Sequence, residues 1–330
     1  MSANGLPLRL GDEGKAVRDL HRRLAAAGFP AGDELDEFDF DSQVAVKSFQ
    51  SSRRLVEDGM CGRQTWAALI EAAHRLGDRM LYLRSPMTRG DDVTDLQQRL
   101  GSLGFDAGYV DGIFGPETES AARNFQHNQG VTADGVVGPG TVQALERLAG
   151  RRAGDKTVAE VRETDMLRHQ GHNVADQRIV LGEAGGLPGA IDSLARRLRL
   201  DGAEVLTLHH PDLSDQARTA NNWHGSVYIG LTLALEEESV AYFATDGFVS
   251  TGGHGLAGHC SEALSALLGR SHPACGMRIP ILRETRMPAV WCRLGPPAKA
   301  VEHASAVSDA LSAALTTWCR HPEDSGQTEG

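Results

Sequence analysis

Asp111-Gly112-Ile113-Phe114-Gly115-Pro116-Glu117-Thr118 reads as a tight turn feeding directly into a helix. Glycine suits the turn, and Pro116 with Glu117 suits the first helical turn, where proline loses no hydrogen bond and an acid meets the positive end of the dipole. That helix runs to Phe125 in the sequence pattern. Upstream, Gly90, Val93, Leu96 and Leu100 place apolar residues on one helical face, and Gly104-Phe105 ends it, since glycine tolerates the left-handed conformation after a helix. Downstream, Asp134-Gly135-Val136-Val137-Gly138 is a second turn, and Thr141 begins a third helix.

Moving the chain by 76 positions lays it on itself without a gap. Gly14 falls on Gly90, Val17 on Val93, Leu20 on Leu96, Leu24 on Leu100, and Gly28-Phe29 on Gly104-Phe105. Phe38, Ala45 and Phe49-Gln50 fall on Phe114, Ala121 and Phe125-Gln126. Asp58-Gly59, Gly62, Thr65 and Leu69 fall on Asp134-Gly135, Gly138, Thr141 and Leu145. One register held over such a length is a duplication, and a repeat is read before anything else because it sets the architecture. The units span 8–74 and 84–148, each with three short helices.

The repeated pattern resembles the small helical peptidoglycan-binding domain that accompanies many wall hydrolases. Residues 90–145 follow it almost throughout. Residues 14–69 depart where Leu35-Asp36-Glu37-Phe38-Asp39 replaces the Asp-Gly-x-Phe-Gly turn. The resemblance implies binding of peptidoglycan fragments or precursors, with Asp111, Phe114, Phe125, Gln126 and Asp134 as candidate residues of the second unit. Most repeated positions are apolar or glycine, so the alternative is a rigid protein-interaction platform that has kept the fold without the ligand.

Charge and cysteine usage bound the rest. With 44 acidic against 33 basic residues the formal charge is −11, which argues against nonspecific nucleic-acid binding and against anionic membrane surfaces. No run approaches the roughly 20 apolar residues of a membrane span. The start, Met1 to Val17, has neither a basic nor an apolar leader segment, and five cysteines without a Cys-x-x-Cys pair suit reduced thiols; both lead to the expectation of a cytoplasmic protein.

Residues 149–176 are polar and charged and read as a linker, partly helical around Thr157 to Leu167. Residues 321–330 read as a disordered tail, where Ser325 or Thr328 are conceivable phosphorylation sites. Between them, 177–320 alternate strand and helix: strands at 178–181, 204–208, 226–231, 239–243 and 288–292, helices at 187–200, 214–223, 255–268 and 298–318. On the helix at 255–268, Leu256, Cys260, Leu264 and Leu267 share a face. Such alternation predicts an α/β fold with a mostly parallel sheet covered on both faces.

Leu282-Arg283-Glu284-Thr285-Arg286-Met287-Pro288-Ala289-Val290-Trp291-Cys292-Arg293-Leu294-Gly295 resembles a stretch of the N-acetylmuramoyl-L-alanine amidase catalytic domain. Ile179 to Gly186, Gly202 to Val205 and Arg218 to Asn221 support the resemblance. Amidases of this kind hold a zinc that lowers the pKa of a bound water, and use a glutamate for the proton. Carried over by position, the first zinc histidine is Ala184, the second is Thr232, and the catalytic glutamate is Arg293. No carboxylate stands in Leu187-Pro188-Gly189-Ala190, where the third ligand belongs. The resemblance therefore implies a fold without catalytic residues, metal or other cofactor. His254, His259, Cys260, His272 and Cys275 lie near one another in sequence but match no zinc spacing, and read as surface histidines and core thiols. His209-His210 is equally uninformative.

The whole layout also resembles a group of actinobacterial cytoplasmic amidase-like regulators of peptidoglycan precursor synthesis. That resemblance implies a noncatalytic regulator, with the enolpyruvyl transferase of precursor synthesis and a serine/threonine kinase as partners. The competing reading is an active zinc amidase that cleaves the bond between N-acetylmuramic acid and L-alanine; a third is a scaffold without a ligand.

Overall fold

The computed structural model describes residues 5–32, 36–148, 158–235 and 237–322. The chain divides into two compact units, Met1–Val161 and Arg162–Gly330.

The first unit is the repeat pair. Its helices are α1 (Lys15–Ala26), α2 (Phe40–Ser52) and α3 (Arg63–Glu71), then α4 (Asp91–Ser102), α5 (Pro116–Gln129) and α6 (Pro139–Arg147). The Gly-Phe pairs explain themselves. Gly28 takes φ 91° after α1; its N–H donates to the Ala25 carbonyl at 3.0 Å, and the Phe29 N–H donates to the Leu24 carbonyl at 2.8 Å. This double closure needs a left-handed residue, hence glycine. The phenylalanine it delivers packs edge-on against Phe49, with centroids 5.7 Å apart. Gly104 and Phe105 repeat the arrangement against Phe125 at 5.5 Å. Val17, Leu20, Leu24, Phe38 and Phe49 form one core, and Val93, Leu96, Leu100, Phe114 and Phe125 the other. Each such side chain taken fully out of water contributes about 1.5–3 kcal/mol. Two isolated bridges also obey the duplication, Glu13 with Glu37 and Arg89 with Ile113.

Some boundaries differ from the sequence reading. The second helix of the second repeat continues past Phe125 to Gln129 and stops at Gly130, which is left-handed at φ 67°. The third starts at Pro139, two residues before Thr141, because proline can occupy the first helical position.

The second unit is α/β, and the division between units falls inside α7 (Val158–His169). The elements that follow are β1 (Arg178–Glu183), α8 (Pro188–Leu200), β2 (Glu204–His209), α9 (Leu213–Asn222), β3 (Val227–Leu233), β4 (Ser239–Thr245), β5 (Phe248–Val249), α10 (Thr251–Leu268), β6 (Ala274–Met277), α11 (Pro280–Glu284), β7 (Ala289–Leu294), α12 (Pro297–Glu302) and α13 (Ala304–Arg320). The sheet runs β2-β1-β3-β7-β4-β5, with β6 on β4. It is parallel across β2, β1, β3 and β7 and between β4 and β6; β4 runs antiparallel to β7 and to β5. Ile179, Leu181, Ile229, Leu231, Val290 and Cys292 turn one face toward α8, α10 and α13, and this is the main core.

The connector reading of 149–176 gives way from Val158 onward. Leu167 and Val174 lie in the α/β core. Glu163, one of the charges of that segment, is buried: its carboxylate accepts from Ser250 Oγ at 2.6 Å, the Thr251 N–H at 3.0 Å and the Gly252 N–H at 3.3 Å. These donors open α10, where free N–H groups and the helix dipole favour an anion. Residues 149–157, and Ser325 and Thr328 in the tail, lie outside the described residues.

Three smaller differences complete the comparison. Helix α10 begins at Thr251, capped by Ser250, and its buried stripe is Leu256, Cys260, Leu264 and Leu268, with Leu267 only partly buried. The closing helix is two, interrupted at His303. The short β5, β6 and α11 carry too few residues for a periodic pattern.

Candidate functional site

Two regions carry functional expectation, the glycine turns of the repeats and the carboxyl edge of the parallel strands.

In the second repeat the turns are held from inside by two glutamines. Gln126 Nε2 donates to Asp134 Oδ1 (3.2 Å), the Val136 carbonyl (2.9 Å) and Thr141 Oγ1 (3.0 Å), while its Oε1 accepts the Gly135 N–H (2.8 Å). Gln97 does the same for the other turn. Its Nε2 donates to Asp111 Oδ1 (2.9 Å), the Ile113 carbonyl (3.1 Å) and Thr118 Oγ1 (3.2 Å), and its Oε1 accepts the Gly112 N–H (2.8 Å). The aspartates also accept from the backbone two residues on, Asp111 from Ile113 (2.8 Å) and Asp134 from Val136 (2.9 Å).

The five candidate residues are thereby sorted. Phe114 and Phe125 are fully buried and Gln126 nearly so. They cannot touch a ligand, and the reading of them as contact residues is corrected: they are core and scaffold. Asp111 and Asp134 shape the turns. Beside the turns apolar side chains face solvent: Met80, Tyr82, Leu83 and Met87 are exposed, with Met87 beside Gly115 and Met80 beside Gly138.

In the first repeat Gln50 serves its turn in the same way, reaching Asp58 Oδ1 (2.8 Å), the Met60 carbonyl (3.0 Å) and Thr65 Oγ1 (3.0 Å). The other turn is replaced. At the places of Gln97 and Thr118 stand His21 and Ser42, joined through His21 Nε2 and Ser42 Oγ at 2.8 Å. Ser42 Oγ also accepts the Asp39 N–H (3.2 Å), closing a reciprocal cap on α2. Hydrogen bonding by Ser42 holds the Asp39 carboxyl below its ordinary range. The altered turn is thus rebuilt as a helix cap.

In the α/β unit the register aligns three rows across β1, β3 and β7. Val180 pairs with Tyr228, and Tyr228 with Ala289; Gly182 pairs with Gly230, and Gly230 with Trp291. Thr232 pairs with Arg293. Ala184 directly follows Glu183, the last residue of β1, whose partner on β3 is Leu231, the residue before Thr232. Side chains alternate along a strand, so Thr232 and Arg293 share one row and one face, with Ala184 in the bend just past the end of β1. Two of the three positions that the resemblance equated with zinc histidines and a glutamate, Thr232 and Arg293, therefore pair directly, and the third follows the end of the neighbouring β1, at the carboxyl ends of parallel strands where α/β folds place ligands.

The groups present do not fit zinc. A methyl, a hydroxyl and a guanidinium offer no imidazole or carboxylate, and a guanidinium cation opposes a divalent one. Below the row, aromatic rings fill the face. A Cβ at Gly182 would lie 1.9 Å from Tyr228 Oη, and one at Gly230 would lie 2.1 Å from the Trp291 ring. Tyr228 Oη donates to Gln216 Oε1 at 2.7 Å, and burial pushes its pKa well above the ordinary value.

On the opposite face His209 lies between two carboxylates, Glu183 (Nδ1 to Oε1, 3.3 Å) and Asp192 (Nε2 to Oδ1, 3.7 Å). Glu183 Oε2 also accepts the Gly185 N–H at 2.8 Å. Sequence reasoning passed over this trio, because its members meet only in the fold. Among the described residues no group of three His, Cys, Asp or Glu side chains could hold a metal ion. His272 is fully buried, not at the surface, with Nδ1 against the Arg270 carbonyl at 3.0 Å. Cys260 and Cys292 are buried together; their mutual contact, then burial, raises the Cys292 pKa. Cys275 is half-buried. No helix among the described residues is long and apolar enough to cross a membrane.

Comparison with known proteins agrees with both halves. The peptidoglycan binding domain family matches residues 13–69 and 89–145. N-acetylmuramoyl-L-alanine amidase CwlM of Mycobacterium tuberculosis is 34% identical, over 88% of this chain and 82% of that protein. N-acetylmuramoyl-L-alanine amidase CwlL of Bacillus licheniformis is 30% identical over 44% of this chain and 47% of that protein. Among solved structures, the amidase Ami1 of Mycobacterium smegmatis aligns with 44% of this chain and 98% of its own, at 12% identity and a TM-score of 0.37. With its tandem peptidoglycan-binding repeats and the identity along most of its length, the chain belongs to the N-acetylmuramoyl-L-alanine amidase family, in its CwlM-like branch.

Proposed function

We propose that this protein is a noncatalytic member of the amidase family. It binds peptidoglycan fragments or precursors through its second repeat and regulates cell-wall precursor synthesis through protein contacts. The observation that carries the reading is the trio Ala184, Thr232 and Arg293. Thr232 and Arg293 pair in register and Ala184 follows the end of the neighbouring β1, yet the three supply neither metal ligands nor a base. The exposed strip Met80, Tyr82, Leu83 and Met87 beside the intact turns is the binding surface in this reading. By resemblance to the cytoplasmic regulators, the enolpyruvyl transferase of precursor synthesis and a serine/threonine kinase are the proposed partners, and the cytoplasm the proposed location.

The alternative, an active zinc amidase, is favoured by the name of the 34% identical relative. Metal content of the purified full chain, measured beside muropeptide hydrolysis with added zinc, decides between them. The noncatalytic reading expects neither bound zinc nor cleavage. About one tightly held zinc per chain together with cleavage restores the enzyme, since a catalytic site needs that single metal.

A further inference from the structure

The row at the strand ends extends beyond the replaced positions Thr232 and Arg293. Across the antiparallel pair of β7 and β4, Ser239 stands directly opposite Arg293, and Thr232 flanks Arg293 on the other side. Thr232, Arg293 and Ser239 therefore lie abreast on three neighbouring strands and on one face. Arg293 is 15% exposed, and its ion partner is Glu237, at 3.9 Å and itself 63% exposed. An exposed carboxylate at that distance is a weak, solvent-screened partner. The next carboxylate in the loop, Glu238, is engaged by Arg270 at 3.3 Å. Ser239 Oγ is buried with no oxygen or nitrogen partner; the Cys275 thiol, a weak hydrogen-bonding group, leans on it and also senses the Arg293 charge. A buried hydroxyl without a proper partner beside an under-paired guanidinium is costly unless something completes the set.

We propose that Thr232, Arg293 and Ser239 form a binding site for a single oxyanion, the carboxylate or phosphate group of a small ligand, at the place where the family's catalytic centre stood. The guanidinium supplies charge and a planar pair of N–H donors suited to two oxygens. Ser239 and Thr232 supply hydroxyl donors on either side. Glu237 is the internal competitor that the ligand displaces. Replacing a glutamate by Arg293 thus reverses what the edge recognises, from the water and carbonyl of a hydrolysis to an acid already free.

The test is calorimetric titration of the full chain with acetate, inorganic phosphate and N-acetylmuramic acid, at ionic strength held constant with chloride. Saturable binding of at least one of the three is expected, and the preferred probe identifies a carboxylate or a phosphate as the natural group. Arg293→Gln is expected to weaken binding about tenfold or more, the loss of one charge-assisted contact. Glu237→Gln, at an exposed position that leaves the fold intact, is expected to tighten it several-fold; it decides the matter if Arg293→Gln does not fold. No saturable binding of any probe, binding unchanged by Arg293→Gln, or binding unchanged or weakened by Glu237→Gln overturns the proposal. The inference rests on the noncatalytic reading, yet the two fail separately. Zinc-dependent hydrolysis would end that reading, whereas lack of anion binding would end this one and leave metal content and hydrolysis as they are.

Discussion

Gln126 Nε2 lies 3.0 Å from Thr141 Oγ1, and the same amide-to-hydroxyl contact joins Gln50 to Thr65 at 3.0 Å and Gln97 to Thr118 at 3.2 Å. Three turns in one unit are therefore built on one plan, in which an amide inside the fold gathers an aspartate, a glycine N–H, a carbonyl and a threonine.

Replacing Gln126 by alanine strips that turn of its donors and leaves the Gly135 N–H unpaired in a buried place. Gln126→Ala is expected to destabilise the repeat unit by about 2–4 kcal/mol. Urea denaturation of the full chain, read on the transition of the repeat unit, checks this. A loss below half a kcal/mol would mean that solvent replaces the amide.

Glu163 holds the first turn of α10 from another helix. Glu163→Ala is expected to cost the α/β unit about 2–4 kcal/mol and to raise amide exchange across α7, because its anchor and the complement to the helix dipole vanish together. Exchange in α7 as slow as in the parent would show that Leu167 alone suffices.

Burial pushes the Cys61 and Cys319 thiols up to about 12, from an ordinary value near 9. With folded pKa values above the unfolded ones, their contribution to stability is complete below about pH 9 and is lost as pH rises from there toward 12. At pH 8 the native protein is expected to leave both thiols unmodified by a thiol-specific disulfide reagent, with half-buried Cys275 reacting first. Mapping the modified cysteines after brief exposure checks the order.

Ala184 follows the last residue of β1, Glu183, whose partner on β3 is Leu231, the neighbour of Thr232. If Ala184 and Thr232 occupy the places of two zinc histidines, the double variant Ala184→His with Thr232→His gains zinc affinity over the parent chain, and each single variant gains much less. Equilibrium dialysis with zinc measures it, and equal affinity in parent and double variant would count against the positional match.

The repeats were legible because their determinants are local. A glycine followed by phenylalanine closes a helix and delivers a ring, and both acts lie within one turn of chain. The sheet was legible from apolar runs, the amidase resemblance from residues 282–295, and the branch of the family from the whole layout. What escaped reading depends on distant partners. Glu163 meets its donors nearly ninety residues away in sequence, so nothing near it marks a buried charge. Phe114 and Phe125 were candidate contacts because a motif ranks residues by recurrence, and recurrence rewards the core. Ser239 gave no signal at all; only the register of β4 on β7 sets it beside Arg293.

The internal glutamines bear on how such a module can change over generations. Since each turn is fastened from within, substitutions on its outer surface leave the fastening untouched, and a recognition surface can drift without unfolding its carrier. The first repeat has gone further. Its His21–Ser42 pair stands where one fastening would be, and the helix beneath is still capped. A fold so arranged outlasts successive employments, and a domain that came with one occupation is free to enter another.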